Sequence, residues 1–243
     1  MENGLWNVYE DQVRAQAYAT LEFPGTYWLA FRDLPALLGE HVRGTRAVDF
    51  GCGAGRSTQL LRALGFGVVG VDISEPMLAL ARARDPGGDY RLMADGDFSG
   101  LERGAADLVL AAFPFDNIAG LERKVALFEG LRGLLAAGGR IVNIVSSPEI
   151  YVNEWVSFST RDFPSNRLAR SGETVRIVML DVEDRRPVED VFWTEEAYND
   201  VYERAGLRPI QIHRPLGKPG ETQEWGTELR IAPWTLYVLA PAS

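Results

Sequence analysis

The stretch VDFGCGAGRST, residues 48–58, decides how the rest of the chain is read. A short β-rich run, TRAVDF (45–50), leads into glycines at alternate positions, Gly51, Gly53 and Gly55, and then into the helical pattern STQLLRAL. Glycine lacks a Cβ, so the backbone can turn tightly there and approach a ligand closely, while a helix starting at Arg56 to Ser57 offers N–H groups without intrahelical partners. Such donors suit a carboxylate or a pyrophosphate. A glycine triplet also marks ordinary tight turns, so the loop alone does not define a site.

Outward from the loop the same rhythm recurs. GVVGVD (67–72), DYRLMAD (89–95), ADLVLAAF (106–113) and GRIVNIVS (139–146) read as strands. Between the strands lie STQLLRAL, EPMLALARAR and ERKVALFEGLRGLL, each with leucine or alanine at three- and four-residue spacing. Strand and helix in alternation predict an α/β fold: a mostly parallel sheet wound by crossover helices on both faces. After Ser146 the rhythm breaks. TVRIVMLDV (174–182) and PVEDVFW (187–193) flank the polar EDRR and predict an antiparallel hairpin, a small β insertion. TEEAYNDVYERAG then predicts a helix with Thr194 as N-cap and Gly206 as its stop, and LRPIQIH (207–213) and WTLYVLA (234–240) complete seven strands in the main sheet.

One domain is expected throughout: a helical cap over 1–44, a core over 45–147, an insertion or lid over 148–193, and the last helix and strands over 194–243. The cap carries Trp6, Tyr9, Tyr18, Phe23, Tyr27, Trp28 and Phe31. It reads either as an amphipathic helix packed on the sheet or as a cover over a ligand.

Composition narrows the function. At 46% hydrophobic and 24% charged over 243 residues, the chain can bury a substantial core without disulfide or metal. Its net charge of −9 and the absence of a basic run argue against nucleic acid, whose phosphates are bound through clustered Lys and Arg. The lone Cys52 excludes an intrachain disulfide and a multi-cysteine metal site. The acid-bearing N-terminal stretch lacks the features of a signal peptide and no apolar run is long enough to span a bilayer, so a cytoplasmic protein without membrane contact is expected.

Asp72 ends the second predicted strand, 17 residues after Gly55. A carboxylate there can accept hydrogen bonds from both ribose hydroxyls of an adenosine lying across the C-terminal edge of the sheet, or it can simply cap the helix from Ser74 to Leu80. The dinucleotide fingerprint is G-x-G-x-x-G, whereas GCGAG is G-x-G-x-G with Asp49 two residues ahead, a spacing that disfavours NAD or FAD.

On these residues the chain resembles the class I S-adenosylmethionine-dependent methyltransferases of the small-molecule type, whose first motif is an acid, any residue, then glycines at alternate positions. Asp49, Gly51, Gly53 and Gly55 match it, followed by GVDIS (70–74) and MLALARAR (77–84). The resemblance covers residues 45–147 strongly and the last two strands only in outline. It implies a Rossmann-like methyltransferase fold and S-adenosyl-L-methionine as cofactor. Gly51 and Gly53, with Cys52 between them, would line the methionine moiety, and the helix start at Arg56 and Ser57 would face its carboxylate. Asp72 would hold the ribose, with Ile73 and Met77 beside it. Asp95, Gly96 and Asp97 would lie near the adenine amino group, and Ala112 and Phe113 would border the cofactor. Asp95 and Asp97 also read as caps of the following turn, and Arg56 as a surface arginine. Members that methylate adenine bases or glutamine carry an Asn or Asp, two prolines and an aromatic after the fourth strand. FPFDN (113–117), with one proline, departs from that pattern.

Methyl transfer from a sulfonium needs positioning and exclusion of water more than a protein nucleophile. A general base would help a hydroxyl or protonated amine to react, and His213 and Tyr18 stand as base candidates, with Tyr9 and Tyr27 behind them. His41 reads as a surface or capping residue. The insert offers Tyr151, Trp155, Phe158, Phe163, Arg161 and Arg167 as a wall over the acceptor or as a second small core. The expected function is methyl transfer to an O or N atom of a small molecule, with a secondary metabolite among the candidates. The alternatives are a cofactor-binding regulatory protein without chemistry and a nicotinamide-dependent oxidoreductase.

Overall fold

The computed structural model of the protein describes residues 25–242. Strands β1 (Arg46–Phe50), β2 (Gly67–Asp72), β3 (Asp89–Leu92), β4 (Ala106–Ala112) and β5 (Leu135–Ser146) come first. The insertion supplies β6 (Phe158–Ser159), β7 (Thr174–Met179) and β8 (Val188–Val191), and β9 (Leu207–His213) and β10 (Trp234–Pro241) close the chain. The helices are α1 (Thr26–Arg32), α2 (Leu34–His41), α3 (Arg56–Ala63), α4 (Glu75–Arg84), α5 (Leu121–Leu134) and α6 (Glu195–Arg204).

The main sheet has seven strands in the order β3-β2-β1-β4-β5-β10-β9. Its first five strands run parallel, and β10 enters antiparallel between β5 and β9. β1 and β4 are central neighbours with crossovers on either side, so the strand order reverses between them and a crevice opens at their C-terminal ends. The hairpin of β7 and β8 pairs antiparallel and forms, with β6, a separate three-stranded sheet.

Period-two alternation divides the core between the two faces of the main sheet. Leu108, Leu110, Val142, Ile144, Leu236 and Val238 pack towards α1, α2 and the insertion. Their neighbours Val109, Ala111, Ile141, Tyr237 and Leu239 pack towards α5 and α6. Each buried Leu, Val or Ile among them contributes about 1.5–3 kcal/mol relative to an exposed one. Helix ends follow their local signals. The Ser74 and Thr194 hydroxyls accept from the N–H groups of Met77 and Ala197, starting α4 and α6.

Three differences from the expected elements have local causes. β3 stops at Leu92, short of the run to Asp95. It is an edge strand, and beyond Leu92 only Met93 N–H still bonds Asp72 O at 2.9 Å. β5 begins at Leu135, ahead of its glycines, because an irregularity in register between Ala106 and Leu108 absorbs them. β6, two residues paired with Met179 and Val178, is too short to leave a sequence pattern.

A buried polar knot ties the insertion to the rest. Thr26 N–H donates to Ser157 Oγ at 2.9 Å, Thr26 Oγ1 donates to Glu228 Oε1 at 2.6 Å, and Val156 N–H donates to the same carboxylate oxygen at 2.9 Å. Trp234 Nε1 donates to Thr26 O at 2.7 Å. Glu228 is fully buried, so these bonds are made out of competition with water. Among the described residues no helix is long and apolar enough to cross a membrane.

Candidate active site

The loop after β1 is held by hydrogen bonds that its glycines make geometrically possible. Gly51 and Cys52 both donate to Val71 O, at 2.8 and 3.0 Å, and Gly53 N–H donates to Asp72 Oδ2 at 2.8 Å. Gly53 has φ of +51°, and a Cβ there would stand 3.2 Å from Cε of Met77. Gly55, at φ +82°, faces the other way, since its Cβ would meet the Tyr90 hydroxyl at 2.7 Å. The third glycine therefore serves helix–strand packing, while the first two lie at the crevice. Asp49 is fully buried beneath the loop, and its Oδ2 accepts from Ser57 Oγ at 2.7 Å and Thr58 Oγ1 at 2.6 Å. Burial pushes its carboxyl up to about 6 against the pull of those two hydroxyls. Asp49 staples β1 to the first turn of α3.

A cavity of about 260 Å³ opens over this loop at the C-terminal ends of β1, β2 and β4. Of the residues expected at the cofactor, Gly51, Cys52, Gly53, Arg56 and Ser57 line it from the loop and helix start. Asp72, Ile73 and Met77 line it after β2, Asp95 after β3, and Ala112 and Phe113 after β4. Asp49, Gly96 and Asp97 are not among the lining residues. Asp97 caps its own turn, accepting from Ser99 N–H at 2.9 Å. Asp95 pairs with Arg123 of α5, which also lines the cavity.

Asp72 Oδ1 accepts from Ser74 N–H and Oδ2 from Gly53 N–H, both at 2.8 Å. Burial pushes its carboxyl up from the usual range, and those backbone donors oppose the shift. Burial likewise keeps the Cys52 thiol protonated. α3 starts at Gly55 without a side-chain cap and without acid in its first turn, so its positive end faces the cavity together with Arg56. The chemistry of this end matches an adenosyl amino acid. It offers a carboxylate for ribose hydroxyls, a helix start and an arginine for an α-carboxylate, apolar Ile73 and Met77 beside a flat base, and a glycine where a Cβ would crowd Met77.

The cavity continues beyond the loop into a second end. Tyr27 and Phe31 of α1, Phe113, Phe158 of β6 and Trp234 of β10 line it. Tyr27 stacks on Trp234 with centroids 5.5 Å apart and meets Phe158 at 5.0 Å, and Phe113 lies 4.8 Å from Trp234. Phe113 is the one non-glycine among the described residues with positive φ, +69°. Such a conformation costs of the order of 1–3 kcal/mol and persists where its surroundings hold it. It turns the chain into the 3-10 segment Pro114–Asn117 over the crevice.

Two carboxylates line this second end, Asp116 from that segment and Asp190 from β8. Asp116 accepts from Ser146 N–H at 3.0 Å and Ser146 Oγ at 2.8 Å. Asp190 accepts from the Tyr151 hydroxyl at 3.1 Å. Burial raises the pKa of both, and the charge of Asp116 raises that of Asp190 further. Behind Asp116, Lys124 is fully buried, donates to Phe115 O, and lies 4.8 Å from the Trp193 ring centroid. Its burial lowers its pKa, and Asp116 opposes that shift.

His213 does not line the cavity. Its Nε2 pairs with Asp33 Oδ2 at 2.8 Å, joining the edge strand β9 to the junction of α1 and α2. Arg32 and then His213 hold the Asp33 carboxyl down at about 2. His41 pairs with Gln211. Tyr18 and Tyr9, with Trp6 and Phe23 of the cap, lie outside the described residues. Of the insert's aromatics, Phe158 reaches the cavity, while Tyr151 and Trp155 are buried in the core cluster behind it. Arg161 faces Glu154 and Arg167 bonds Val152 O, both away from the cavity.

Sequence reasoning missed Asp116, Asp190, Ser146 and Trp234. Asp190 left a legible signal, because in PVEDVFW it shares the alternating face of Val188, which also lines the cavity. Asp116 stands within FPFDN, where attention fell on the prolines and aromatics. Trp234 left no signal that separates it from any other core aromatic.

Residues 48–143 match the family described as methyltransferase domain. A demethylmenaquinone methyltransferase from Clavibacter sepedonicus is 37% identical over 103 residues, 42% of this chain and 41% of that protein. A trans-aconitate 2-methyltransferase from Acidovorax sp. (strain JS42) is 39% identical over 101 residues, 41% of this chain and 37% of that protein. The chain spans between 37% and 55% of the length of the curated relatives it matches. Among solved structures, the CcbJ methyltransferase from Streptomyces caelestis superposes with a TM-score of 0.67 at 19% identity, covering 97% of this chain and 98% of that one. An S-adenosylmethionine-dependent methyltransferase from Mesorhizobium loti superposes with a TM-score of 0.60 at 22% identity, covering 85% and 96%. At these identities the likeness establishes the fold, which is that of a Rossmann-like methyltransferase. The matched stretch, residues 48–143, contains both the glycine loop and Asp72.

Proposed function

We propose that the protein transfers the methyl group of S-adenosylmethionine to an O or N atom of a small molecule. The observation that carries this reading is the single cavity with two chemically different ends, a glycine-and-carboxylate end at the loop and an aromatic end walled by the insertion. When bound, the cofactor supplies a methyl group already activated on a sulfonium. Asp72 would hold the ribose hydroxyls, Arg56 and the start of α3 would receive the amino-acid carboxylate, and Ile73 and Met77 would flank the base. Asp95, Ala112 and Phe113 border the same end. Tyr27, Phe158 and Trp234 would exclude water from the junction and orient the acceptor, an effect that can supply several of the roughly 7–11 kcal/mol available from proximity. The curated relatives whose names print an acceptor, demethylmenaquinone and trans-aconitate, support a small molecule over a polymer. A buried, unpaired Cys52 accords with a cytoplasmic setting.

Calorimetry with S-adenosylhomocysteine and with NADH tests the cofactor, and transfer of a labelled methyl group across a panel of small alcohols, amines and acids tests the chemistry. Micromolar binding of S-adenosylhomocysteine and labelled product are expected. Tight NADH binding without the former would overturn the cofactor. Cofactor binding with no transfer across the panel would return the protein to a regulatory role.

A further inference from the structure

The aromatic end of the cavity is more specific than its position alone requires. The arginines that line the cavity, Arg56 and Arg123, belong to the start of α3 and to α5, and Arg123 is engaged with Asp95. The ionisable side chains that the insertion and the 114–117 segment add are both carboxylates, Asp116 and Asp190. Around them stand the rings of Tyr27, Phe113, Phe158 and Trp234, with centroid separations of 4.8 to 5.9 Å among the pairs Phe113–Trp234, Tyr27–Phe158 and Tyr27–Phe113. Aromatic faces attract cations, and they do so more strongly when water is excluded.

We propose that the acceptor is an amine on an apolar body, bound as its ammonium between Asp116 and Asp190, with Asp190 taking the proton that must leave before the nitrogen can react. This rests on the methyltransferase reading above and narrows it from O or N to N. The two carboxylates are not equivalent. Asp116 is fixed by two bonds from Ser146 and faces the buried Lys124, so it stays in place as a counter-charge. Asp190 has a single hydroxyl partner, Tyr151, and packs on a strand next to the segment that carries its like-charged neighbour. Two carboxylates whose surroundings hold them at different proton affinities divide into an anchor and a proton acceptor. An anionic acceptor would be repelled by carboxylates in a low-dielectric pocket, whereas an ammonium brings both the charge and the N–H donors that the two carboxyl groups and the ring faces attract.

The step balances without a further reactant. The ammonium N–H proton passes to a carboxylate oxygen of Asp190, and the freed nitrogen lone pair forms the bond to the methyl carbon. The bond from that carbon to sulfur breaks with its electron pair staying on sulfur, leaving a neutral thioether and a methylated ammonium. The proton then leaves Asp190 to solvent as product departs.

The test uses the full chain loaded with S-adenosylhomocysteine and three probes that share a phenylethyl body: 2-phenylethylammonium, 2-phenylethanol and 3-phenylpropionate. The ammonium should bind at least tenfold more tightly than the alcohol, with the carboxylate weakest. Asp190→Asn should cost the ammonium at least tenfold while changing the alcohol less than twofold, a split that a merely structural role would not produce. Equal or tighter binding of the alcohol or carboxylate, or an ammonium preference that survives in Asp190→Asn, overturns the proposal. If Asp190→Asn also loses S-adenosylhomocysteine, the wild-type preference among the three probes decides. Failure of the wild type to bind S-adenosylhomocysteine sinks the methyltransferase reading and this inference with it, whereas cofactor binding without an ammonium preference sinks this inference alone.

Discussion

The two ends of the cavity are built in opposite ways. The end proposed for the cofactor is lined mainly by residues 51–57 and 72–77, two short pieces of one strand–helix–strand unit. The end proposed for the acceptor is lined by Tyr27, Asp116, Phe158, Asp190 and Trp234, brought together where the insertion is clamped to α1 and β10 by Thr26, Ser157 and Glu228. A site that recognises one cofactor can be encoded locally. A site that must fit a particular acceptor is assembled from distant segments, each of which can vary without disturbing the loop.

If that division holds, changes at the loop should act on the cofactor and leave the acceptor wall intact. The largest effect is expected from Gly53→Val, which forces a β-branched residue into φ of +51° and sets its Cβ 3.2 Å from Met77 Cε. Calorimetry should show at least a hundredfold loss of S-adenosylhomocysteine affinity, and wild-type affinity would remove Gly53 from the cofactor end. Asp72→Ala comes next, with a loss of about 1.5–3 kcal/mol for hydrogen bonds to a charged group, or roughly ten- to a hundredfold in dissociation constant. Unchanged affinity would show that Asp72 only secures the loop.

Smaller effects test the scaffold under each end. Asp49 has its carboxyl raised from an ordinary value of 3.8 to about 6 by burial. A raised carboxyl binds its proton more tightly in the folded chain, so its contribution is greatest at low pH and fades as pH climbs from about 4 through about 6. An Asn at 49 cannot ionise. Relative to Asp49→Asn, the wild type should therefore lose about 1 kcal/mol of unfolding free energy between pH 5 and pH 7.5. Parallel denaturation curves at the two pH values measure it, and a constant difference would mean that Asp49 stays ionised in the fold. His213→Ala should be the mildest. Its partly exposed pair with Asp33 is worth less than about 1 kcal/mol. A small drop in Tm with cofactor affinity and turnover unchanged is expected, and a collapse of turnover alone would bring His213 back as a base.

How legible each end was follows from the same contrast. The alternation of strand and helix, the hairpin in the insertion and the positions of Gly53 and Asp72 could be read because their signals lie within one turn or one strand of each other. The start of β5 at Leu135 could not, since only its register against Ala106 shows that strand pairing reaches past the glycines. His213 looked like a base because its imidazole has the right proton affinity, yet what a histidine does depends on what it faces, and this one faces Asp33. Asp190 was visible in part, through its shared face with Val188, but only packing against the 114–117 segment sets a second carboxylate beside it.

By itself the amino-acid order determined the winding of the sheet, the turn at the glycine loop and the carboxylate that ends β2, because backbone geometry and side-chain periodicity act over a few residues at a time. The tertiary structure alone decided which distant rings and acids share a cavity and how tightly each acid holds its proton. Proximity across two hundred residues and removal from water are properties of the folded chain, and no local pattern carries them.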